Sequence, residues 1–357
     1  MNEKIEKLRK RIDALDDQLL SMLNERAELS KLIGQLKGAA QETFFTPERE
    51  SEIHRRLASK NPGPLSKEQL QTLFREIISA SRSLAKPPRA VYWGPPGSYS
   101  EQAAKLAFGA WSELSAVDDL DEAFAKVETR QADYAVLPIE NSIAGVVVES
   151  LDRLLRTTAK LCGEIYLPIS HALVSKETNL AKVKAVYVGP QPKAQCRRWL
   201  EANLPSAELI DCSPSSRAAQ MAAEKNGAAA IASAEAAKLY GLNVLAIGIE
   251  SQESNTTRFL ILGFNQPRPT GKDKTALLFA VKDRPGQLYR ALGAFNKRKL
   301  NLTMIESRPH PRKPFSYMFY VEIQGHRDDA ALAEAIEALE RYAADVQPLG
   351  SFPEAMV

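Results

Sequence analysis

Apolar residues recur at intervals of three and four along residues 1–86, a spacing that predicts helices throughout this segment. With Ile5 taken as heptad position a, the a and d positions of the first helix are apolar except for one cation, Arg26. The seam consists of Ile5, Leu8, Ile12, Leu15, Leu19, Met22, Arg26, Leu29, Ile33 and Leu36. This helix is about 50 Å long, at ~1.5 Å per residue, and two shorter helices cannot cover an apolar stripe of that length. We therefore expect an intertwined homodimer or a higher homo-oligomer.

Two shorter helices are predicted to follow. Thr46 and Pro47 suit an N-cap and a first helical position, and Ser66 with Gln69 forms a capping box that opens the third helix. Ser81 is a polar residue on the apolar face of that third helix. We expect cations from the first two helices to converge on it.

Beyond residue 89, apolar strand-like stretches alternate with helical ones, which predicts an α/β domain with helices on the faces of its sheet. Its predicted strands include residues 90–93, 134–137, 185–188, 228–231 and 259–262.

The C-terminal segment follows a strand-helix-strand-strand-helix-strand order, which predicts an α+β ferredoxin-like domain with a sheet edge open to a second copy. Proline-containing segments at 85–89 and 266–271 separate the three patterns. The predicted fold class is therefore multidomain, with domains at residues 1–88, 89–266 and 271–357.

Composition excludes several classes of function. Of 357 residues, 44% are hydrophobic and 25% are charged, and the net charge of +3 comes from interspersed basic residues, so we expect no nucleic-acid partner. The three cysteines lack the spacing of a metal site, and we predict neither a metal nor a cofactor. A charged N-terminus and the lack of a long apolar stretch predict a cytoplasmic location and no membrane partner.

Thr257 and Arg258 stand together before the apolar residues 259–262 and predict an anion site, because an arginine beside a core strand needs an anionic neighbour or ligand. Other polar segments follow predicted strands, at Ser100, at Glu140, Asn141 and Ser142, and at Gln191. His171 is interpreted as a structural histidine.

The first domain resembles the all-helical chorismate mutases in the segments 8–16, 25–26, 34–37 and 47–50. The resemblance implies that Arg9 of a partner subunit, with Arg26, Lys37 and Arg49, holds the carboxylates and ether oxygen of chorismate, while Glu50 and Ser81 bind its hydroxyl region. Such a rearrangement needs a clamp and charge stabilisation rather than a nucleophile. Ala85 stands where the family usually offers a hydrogen-bond donor, which predicts weaker mutase activity.

The second domain resembles prephenate dehydratase in segments 94–104, 140–142, 162–164, 195–196 and 257–259. The resemblance implies two α/β lobes, similar to periplasmic binding proteins, with the active site between them. We predict that Arg258 holds a carboxylate of prephenate and that Thr257 donates to the departing oxygen, while Glu140, Asn141, Ser142, Ser100 and Gln191 line the pocket. The family's Ser-His before the Pro190-Gln191 pair is replaced by Val188-Gly189.

The third domain resembles ACT regulatory domains at residues 285–288 and 306–309. The resemblance implies that L-phenylalanine, as a feedback inhibitor, binds near Gly286, Leu288, Glu306, Ser307 and Arg308. Gln287 stands where the family usually has alanine.

Together the three resemblances indicate a bifunctional chorismate mutase/prephenate dehydratase of phenylalanine biosynthesis. Three alternatives remain open. The helical domain could be a dimerisation element, the middle domain could act on arogenate, and a solute-binding protein shares the two-lobed outline.

Overall fold

The computed structural model describes residues 2–39, 45–251, 254–282, 284–310 and 316–355. The chain divides into two compact units. The first comprises Met1–Arg89 with Phe108–Glu113, and the second comprises Ala90–Ala107 with Leu114–Val357. In the described part of the chain, no helix combines the length and the apolar character needed to cross a bilayer.

The first unit contains three helices in its described part, α1 (Asn2–Ala39), α2 (Pro47–Lys60) and α3 (Lys67–Ser83). The capping box predicted at Ser66 is present, since its hydroxyl accepts from the Gln69 amide while the Gln69 side chain accepts from the Ser66 amide. The seam of α1 is exposed in the single chain, with Leu8 65% and Leu36 73% accessible. This apolar stripe is therefore not covered by α2 and α3.

The second unit begins with a lobe built on a mixed sheet in the order β2-β1-β3-β11-β5, with the short β4 beside β3. Strands β1 and β3 are parallel, and β11 runs antiparallel to β3 and β5. The elements are β1 (Arg89–Trp93), α4 (Tyr99–Phe108), β2 (Glu113–Val117), α5 (Leu120–Glu128), β3 (Tyr134–Asn141), β4 (Gly145–Val146), α6 (Val148–Leu154), β5 (Lys160–Pro168) and, later in the chain, β11 (Thr256–Gly263).

A second lobe is inserted between β5 and β11 and has its own sheet in the order β10-β6-β9-β7-β8. Alanines and other small apolar residues fill its strands and the helices against them. Its elements are β6 (Ala172–Ser175), β7 (Ala185–Val188), α7 (Pro190–Asn203), β8 (Glu208–Asp211), α8 (Ser215–Glu224), β9 (Ala228–Ala232), α9 (Ala234–Tyr240) and β10 (Asn243–Ile247).

The C-terminal part has the predicted βαββαβ order, with sheet order β13-β14-β12-β15. Gly286 is the N-cap of the first helix of this part and has a left-handed backbone conformation, φ 77°. The elements are β12 (Asp273–Val281), α10 (Gln287–Asn296), β13 (Leu302–Pro309), β14 (Tyr317–Gln324), α11 (Ala330–Glu340) and β15 (Ala343–Pro353). The all-α, two-sheet α/β and α+β parts confirm the predicted fold class.

The first lobe and the C-terminal sheet share one hydrophobic core. Leu137 and Leu260 of the lobe belong to the same buried cluster as Leu278, Tyr320 and Phe352 of the C-terminal sheet. At the edge of this contact the Lys160 ammonium donates to the carbonyl of Pro348 over 2.7 Å. The two parts are thus packed together as one folded body.

Candidate functional site

A cluster of buried polar groups lies between α1, α2 and α3 in the first unit. The Arg26 guanidinium donates to Ser81 Oγ over 2.5 Å, and Arg82 donates to Glu50 Oε1 over 2.5 Å. Arg82 also donates to the carbonyl oxygen of Phe108 over 2.6 Å. The structure therefore brings together Arg26, Glu50 and Ser81 as the sequence predicted. It adds Arg82, which sequence reasoning missed although it directly follows Ser81.

The remaining cations of the predicted chorismate site lie farther out. Arg9 is exposed on α1, with Glu6 at 3.8 Å, and Arg49 is exposed on α2, with Glu52 at 2.5 Å. Lys37 is half-buried near the end of α1. Arg9 and Arg49 thus pair with glutamates of their own helices rather than with the buried cluster.

Burial dominates the electrostatics of this cluster. Burial raises the pKa of Glu50 and outweighs the opposing effect of Arg82. Burial also lowers the pKa of Arg26, while Glu50 acts in the opposite direction. Arg26, which Ser81 holds in place, and Arg82, which Glu50 holds in place, are fixed cations that can bind an anionic ligand with little reorganisation.

A second polar site forms where β3 ends and β11 begins in the first lobe. Antiparallel pairing places Thr257 directly opposite Asn141 and Arg258 opposite Glu140. Asn141 Nδ2 donates to Thr257 Oγ1 over 2.9 Å and to Asn255 Oδ1 over 2.8 Å. Because Thr257 Oγ1 accepts from Asn141, its own proton is available to another acceptor.

Side chains of the second lobe reach this edge from α7. Gln191 Nε2 is 3.5 Å from Asn141 Oδ1, and Asn255 Nδ2 donates to Gln195 Oε1 over 3.4 Å. Gln191 and Gln195 are four residues apart on one helix and therefore share a face. The sequence predicted Gln191 for the site but gave no role to Gln195 or Asn255.

His171 lies at the start of the second lobe and extends the same hydrogen-bonded group. Its Nε2 is 2.7 Å from Gln195 Oε1, and its Nδ1 is 3.2 Å from the hydroxyl of Tyr99 on α4. Burial lowers the pKa of His171, which favours the neutral ring. The histidine interpreted as structural is thus linked through Gln195 to the lobe edge.

The other predicted residues have less direct positions. Ser142 holds the segment before β11, because its hydroxyl donates to the carbonyl of Ser254 over 2.8 Å and accepts from the Thr256 amide over 3.0 Å. Ser100 is buried on α4, and Glu140 is half-buried opposite Arg258.

The glycine-rich loop before α4 contacts the second lobe. Gly97 has φ 82°, and a Cβ at this position would lie 3.1 Å from Ala236 Cα, so the loop requires glycine. The Gly97 amide donates to Glu101 Oε2 over 2.6 Å. A carboxylate of the protein itself therefore occupies this backbone donor.

The position of Arg258 corrects the role predicted for it. Side chains alternate along a strand, so Thr257 and Arg258 project from opposite faces of β11. Arg258 is 5% exposed and donates to Glu164 and to Glu322, with its remaining nitrogen 3.8 Å from the Met304 sulfur. Its three nitrogen atoms thus have protein partners, and it holds two carboxylates of the protein itself.

Arg258 belongs to a charge-balanced cluster between the first lobe and the C-terminal sheet. Lys274 donates to both oxygens of Glu164 over 3.0 Å, and the Tyr320 hydroxyl donates to Glu322 over 2.6 Å. Burial opposes the charge of Arg258, but Glu322 and Glu164 outweigh it and raise the pKa of Arg258.

The residues predicted to bind an amino acid lie at one end of the C-terminal sheet. Arg308 is paired with Met318 on the neighbouring strand, and Met318 is paired in turn with Ala280 on β12. Ala280 lies near the end of β12 that leads to Gly286. Leu288 packs on the core of this part, Glu306 is half-buried and Ser307 is exposed. Arg308 makes a bidentate ion pair with Asp152 on α6, at 2.7 and 2.9 Å.

Comparisons with known proteins agree with this division. Family models match for chorismate mutase type II at residues 8–86, for prephenate dehydratase at 90–267 and for the ACT domain at 275–341. A bifunctional chorismate mutase/prephenate dehydratase of Aquifex aeolicus is 41% identical over 99% of each chain.

Two solved structures each resemble about three quarters of the chain. A prephenate dehydratase of Arthrobacter aurescens in complex with L-Phe is 31% identical, with a TM-score of 0.69 over 74% of this chain and 89% of that one. GqqA, described as a quorum quenching acylase, is 30% identical, with the same TM-score over 74% of this chain and 98% of that one. The near-complete match to the Aquifex enzyme and the three ordered family models show that the chain belongs to the bifunctional chorismate mutase/prephenate dehydratase family and carries an ACT domain.

Proposed function

We propose that the chain rearranges chorismate to prephenate in the helical unit and then converts prephenate to phenylpyruvate at the edge shared by β3 and β11. The observation that carries the second assignment is the hydrogen bond from Asn141 to Thr257. It leaves the threonine proton available at a polar edge reached by side chains of both lobes.

The dehydratase reaction breaks the bond to a carboxylate, which leaves as CO2, and its electron pair moves into the ring to expel the hydroxyl group, which takes up one proton from solvent and leaves as water. Formation of an aromatic ring supplies the driving force, so the site has to orient the substrate and stabilise the departing oxygen. Thr257 stabilises that oxygen by hydrogen bonding, because an unperturbed hydroxyl is a poor acid. Gln191 and Gln195 offer amide donors from the second lobe.

Two substitutions test the role of Thr257. Thr257→Val keeps the volume and removes the hydroxyl, and we expect dehydratase turnover to fall by about 100-fold, the usual effect of losing one such donor. Thr257→Ser keeps the hydroxyl and should retain most of the rate. Near-normal turnover of Thr257→Val, with mutase activity as the internal standard, would remove this assignment.

For the mutase reaction, the cluster of Arg26, Glu50, Ser81 and Arg82 supplies fixed charges of the kind that stabilise a rearranging dianion. Arg26→Met should lower chorismate consumption by about 100-fold or more and leave the conversion of added prephenate unchanged. If chorismate consumption persists at the parental rate, the helical unit is a dimerisation element.

A homodimer completes this site in our proposal. The seam of α1 is exposed in one chain, and a second copy of the helix would cover it. It would also bring Arg9 of the partner subunit toward the cluster, where Lys37 and Arg49 complete the set. Sedimentation of the purified protein tests the dimer, and a monomer that retains full mutase activity would contradict it.

We also propose that the C-terminal part binds L-phenylalanine, because the similar prephenate dehydratase of Arthrobacter aurescens was solved in complex with L-Phe. Arogenate remains the alternative substrate of the dehydratase, since it differs from prephenate in an amino group in place of the side-chain keto group. A direct comparison of turnover with the two substrates decides between them. The cytoplasmic location stays a prediction.

A further inference from the structure

The amide groups at the lobe edge have orientations that can be traced outward from the backbone. The amides of Ile143 and Ala144 donate to Asn141 Oδ1 over 3.1 and 2.9 Å. Asn141 Nδ2 must therefore face Asn255 Oδ1, at 2.8 Å. This turns Asn255 Nδ2 toward Gln195, which receives it on Oε1. Each amide orientation thus follows from the previous one.

His171 ends this sequence of hydrogen bonds. Gln195 Oε1 can only accept, so the His171 Nε2 atom 2.7 Å away carries a proton. In the neutral ring Nδ1 is then an acceptor; it lies 3.2 Å from the Tyr99 hydroxyl, which also donates to the carbonyl of Ser170 over 2.8 Å. The backbone is fixed as well, because the His171 amide donates to Glu250 Oε2 over 2.9 Å. The residue is therefore held at Nε2 and at its main chain, and the Tyr99 ring packs edge-on against the imidazole, with ring centroids 6.0 Å apart.

This arrangement leaves one donor unused. Gln195 Nε2 is buried and has no hydrogen-bond partner within the described part of the chain. Buried donors without a partner are rare in folded proteins, because losing water without a replacement is unfavourable. A carboxylate or carbonyl oxygen of a substrate would satisfy it, and a rotated amide would instead present Oε1 and repel that oxygen.

We propose that His171 is a positioning residue of the dehydratase site, whose Nε2–H fixes the Gln195 amide so that Gln195 Nε2 is presented to a substrate oxygen. The inference rests on the proposed function of the Asn141–Thr257 edge. Tyr99 supports the ring from the opposite side.

Replacement of the histidine gives two contrasting variants. His171→Leu removes the donor, and we expect kcat/KM for prephenate to fall at least about tenfold, since misplaced groups lose much of their effect. His171→Gln places an amide N–H near the former Nε2 and should recover at least about a third of the wild-type value.

A second comparison separates positioning from stability. If His171 acts through Gln195, then His171→Leu should cause little further loss in a Gln195→Ala background, because the group it orients is absent. A purely structural histidine would lower activity by the same factor in both backgrounds.

His326 supplies a matched control in the C-terminal part. It is buried to the same 3% exposure as His171, and its Nε2 faces the carbonyl of Pro267 at 3.0 Å. His326→Leu also removes a buried hydrogen bond, but it should leave the dehydratase kcat/KM within about twofold. Chorismate mutase activity of each variant standardises the amount of protein.

The experiment measures prephenate conversion for these variants and for Thr257→Val. A tenfold loss in His171→Leu that disappears in the Gln195→Ala background supports the proposal. Wild-type conversion by His171→Leu, or equal losses in both backgrounds, overturns it. If His171→Leu does not fold, Tyr99→Phe takes its place, with a loss confined to the Gln195-containing background as the supporting result. If Thr257→Val loses prephenate conversion and His171→Leu does not, only this inference is overturned. If Thr257→Val also keeps wild-type prephenate conversion, the proposed function is overturned as well.

Discussion

At the residue scale, the proposed dehydratase site depends on hydrogen-bond direction rather than on a strong acid or base. Asn141 is 7% exposed and Asn255 is 4% exposed, so each amide orientation is held away from competing water. Asn141 donates to Thr257 Oγ1, which leaves the hydroxyl proton of Thr257 available to another acceptor. Replacing either asparagine by aspartate would therefore change the hydrogen-bond pattern, although the side-chain shape would be kept.

The buried His171 ring predicts how stability depends on pH. Burial lowers its pKa in the folded state, whereas the unfolded chain titrates near the ordinary value of about 6.5. Below about pH 6.5 the unfolded state therefore binds more protons, and the free energy of unfolding falls as the pH falls. Urea titrations at pH 5.5 and 7.5 should show a smaller decrease for His171→Gln than for the wild type. Equal decreases in the two proteins would contradict this contribution.

At the scale of single elements, the alternation of side chains along β11 places Thr257 and Arg258 on opposite faces, although the sequence predicts that they form one anion site. Thr257 faces the lobe edge, whereas Arg258 is directed to Glu164 and Glu322. The neighbouring positions were interpreted as one anion site because the strand was expected to begin at Phe259. The structure begins β11 at Thr256, so both residues already obey the two-residue period.

Much of the fold could be predicted from the sequence because periodicity and caps are local signals. The helices of the first unit and the capping box at Ser66 are examples. Asn255 was missed because its partners are distant in sequence and only the fold brings them together. Gln195 carried a usable signal, since it lies one helical turn after Gln191. Neither the hydrophobic core shared by the first lobe and the C-terminal sheet nor the Arg258–Glu322 ion pair produces a local pattern in the sequence.

The cap of α3 gives a prediction for one element. Ser66→Ala removes the hydroxyl that accepts from the Gln69 amide, and it should lower the free energy of unfolding of the helical unit by about 1 kcal/mol. Ser59→Ala is the control, because Ser59 donates to the Arg56 carbonyl on an exposed helix surface and caps no helix N-terminus. It should change stability by less than about 0.5 kcal/mol. Equal effects of both substitutions on mutase thermal inactivation would argue against the cap.

At the scale of the whole molecule, the C-terminal sheet is packed on the first lobe through a common core and two buried or half-buried ion-pair sites. Arg308 is the more informative of these, because it lies in the segment proposed for L-phenylalanine and contacts α6. That helix follows β3, which carries Asn141, and β4, which pairs with β3 at Asn141. A ligand that changes the position of Arg308 would thus act on an element close to the proposed dehydratase site.

We therefore expect Asp152→Asn to weaken feedback inhibition. Removing the Asp152 charge should raise the L-phenylalanine concentration for half-inhibition about fivefold, within the usual range of coupling between sites. The uninhibited rate should remain within about twofold. Glu149→Gln removes an exposed carboxylate of the same helix and should change neither quantity. Unchanged inhibition of Asp152→Asn would exclude this contact from the coupling.

The most direct test follows both products when chorismate is supplied to the purified full-length chain. The wild-type chain should consume chorismate and release phenylpyruvate, whereas Thr257→Val should consume chorismate at the same rate and accumulate prephenate. Phenylpyruvate released by Thr257→Val at the wild-type rate, or chorismate left unconsumed by the wild-type chain, would contradict the account.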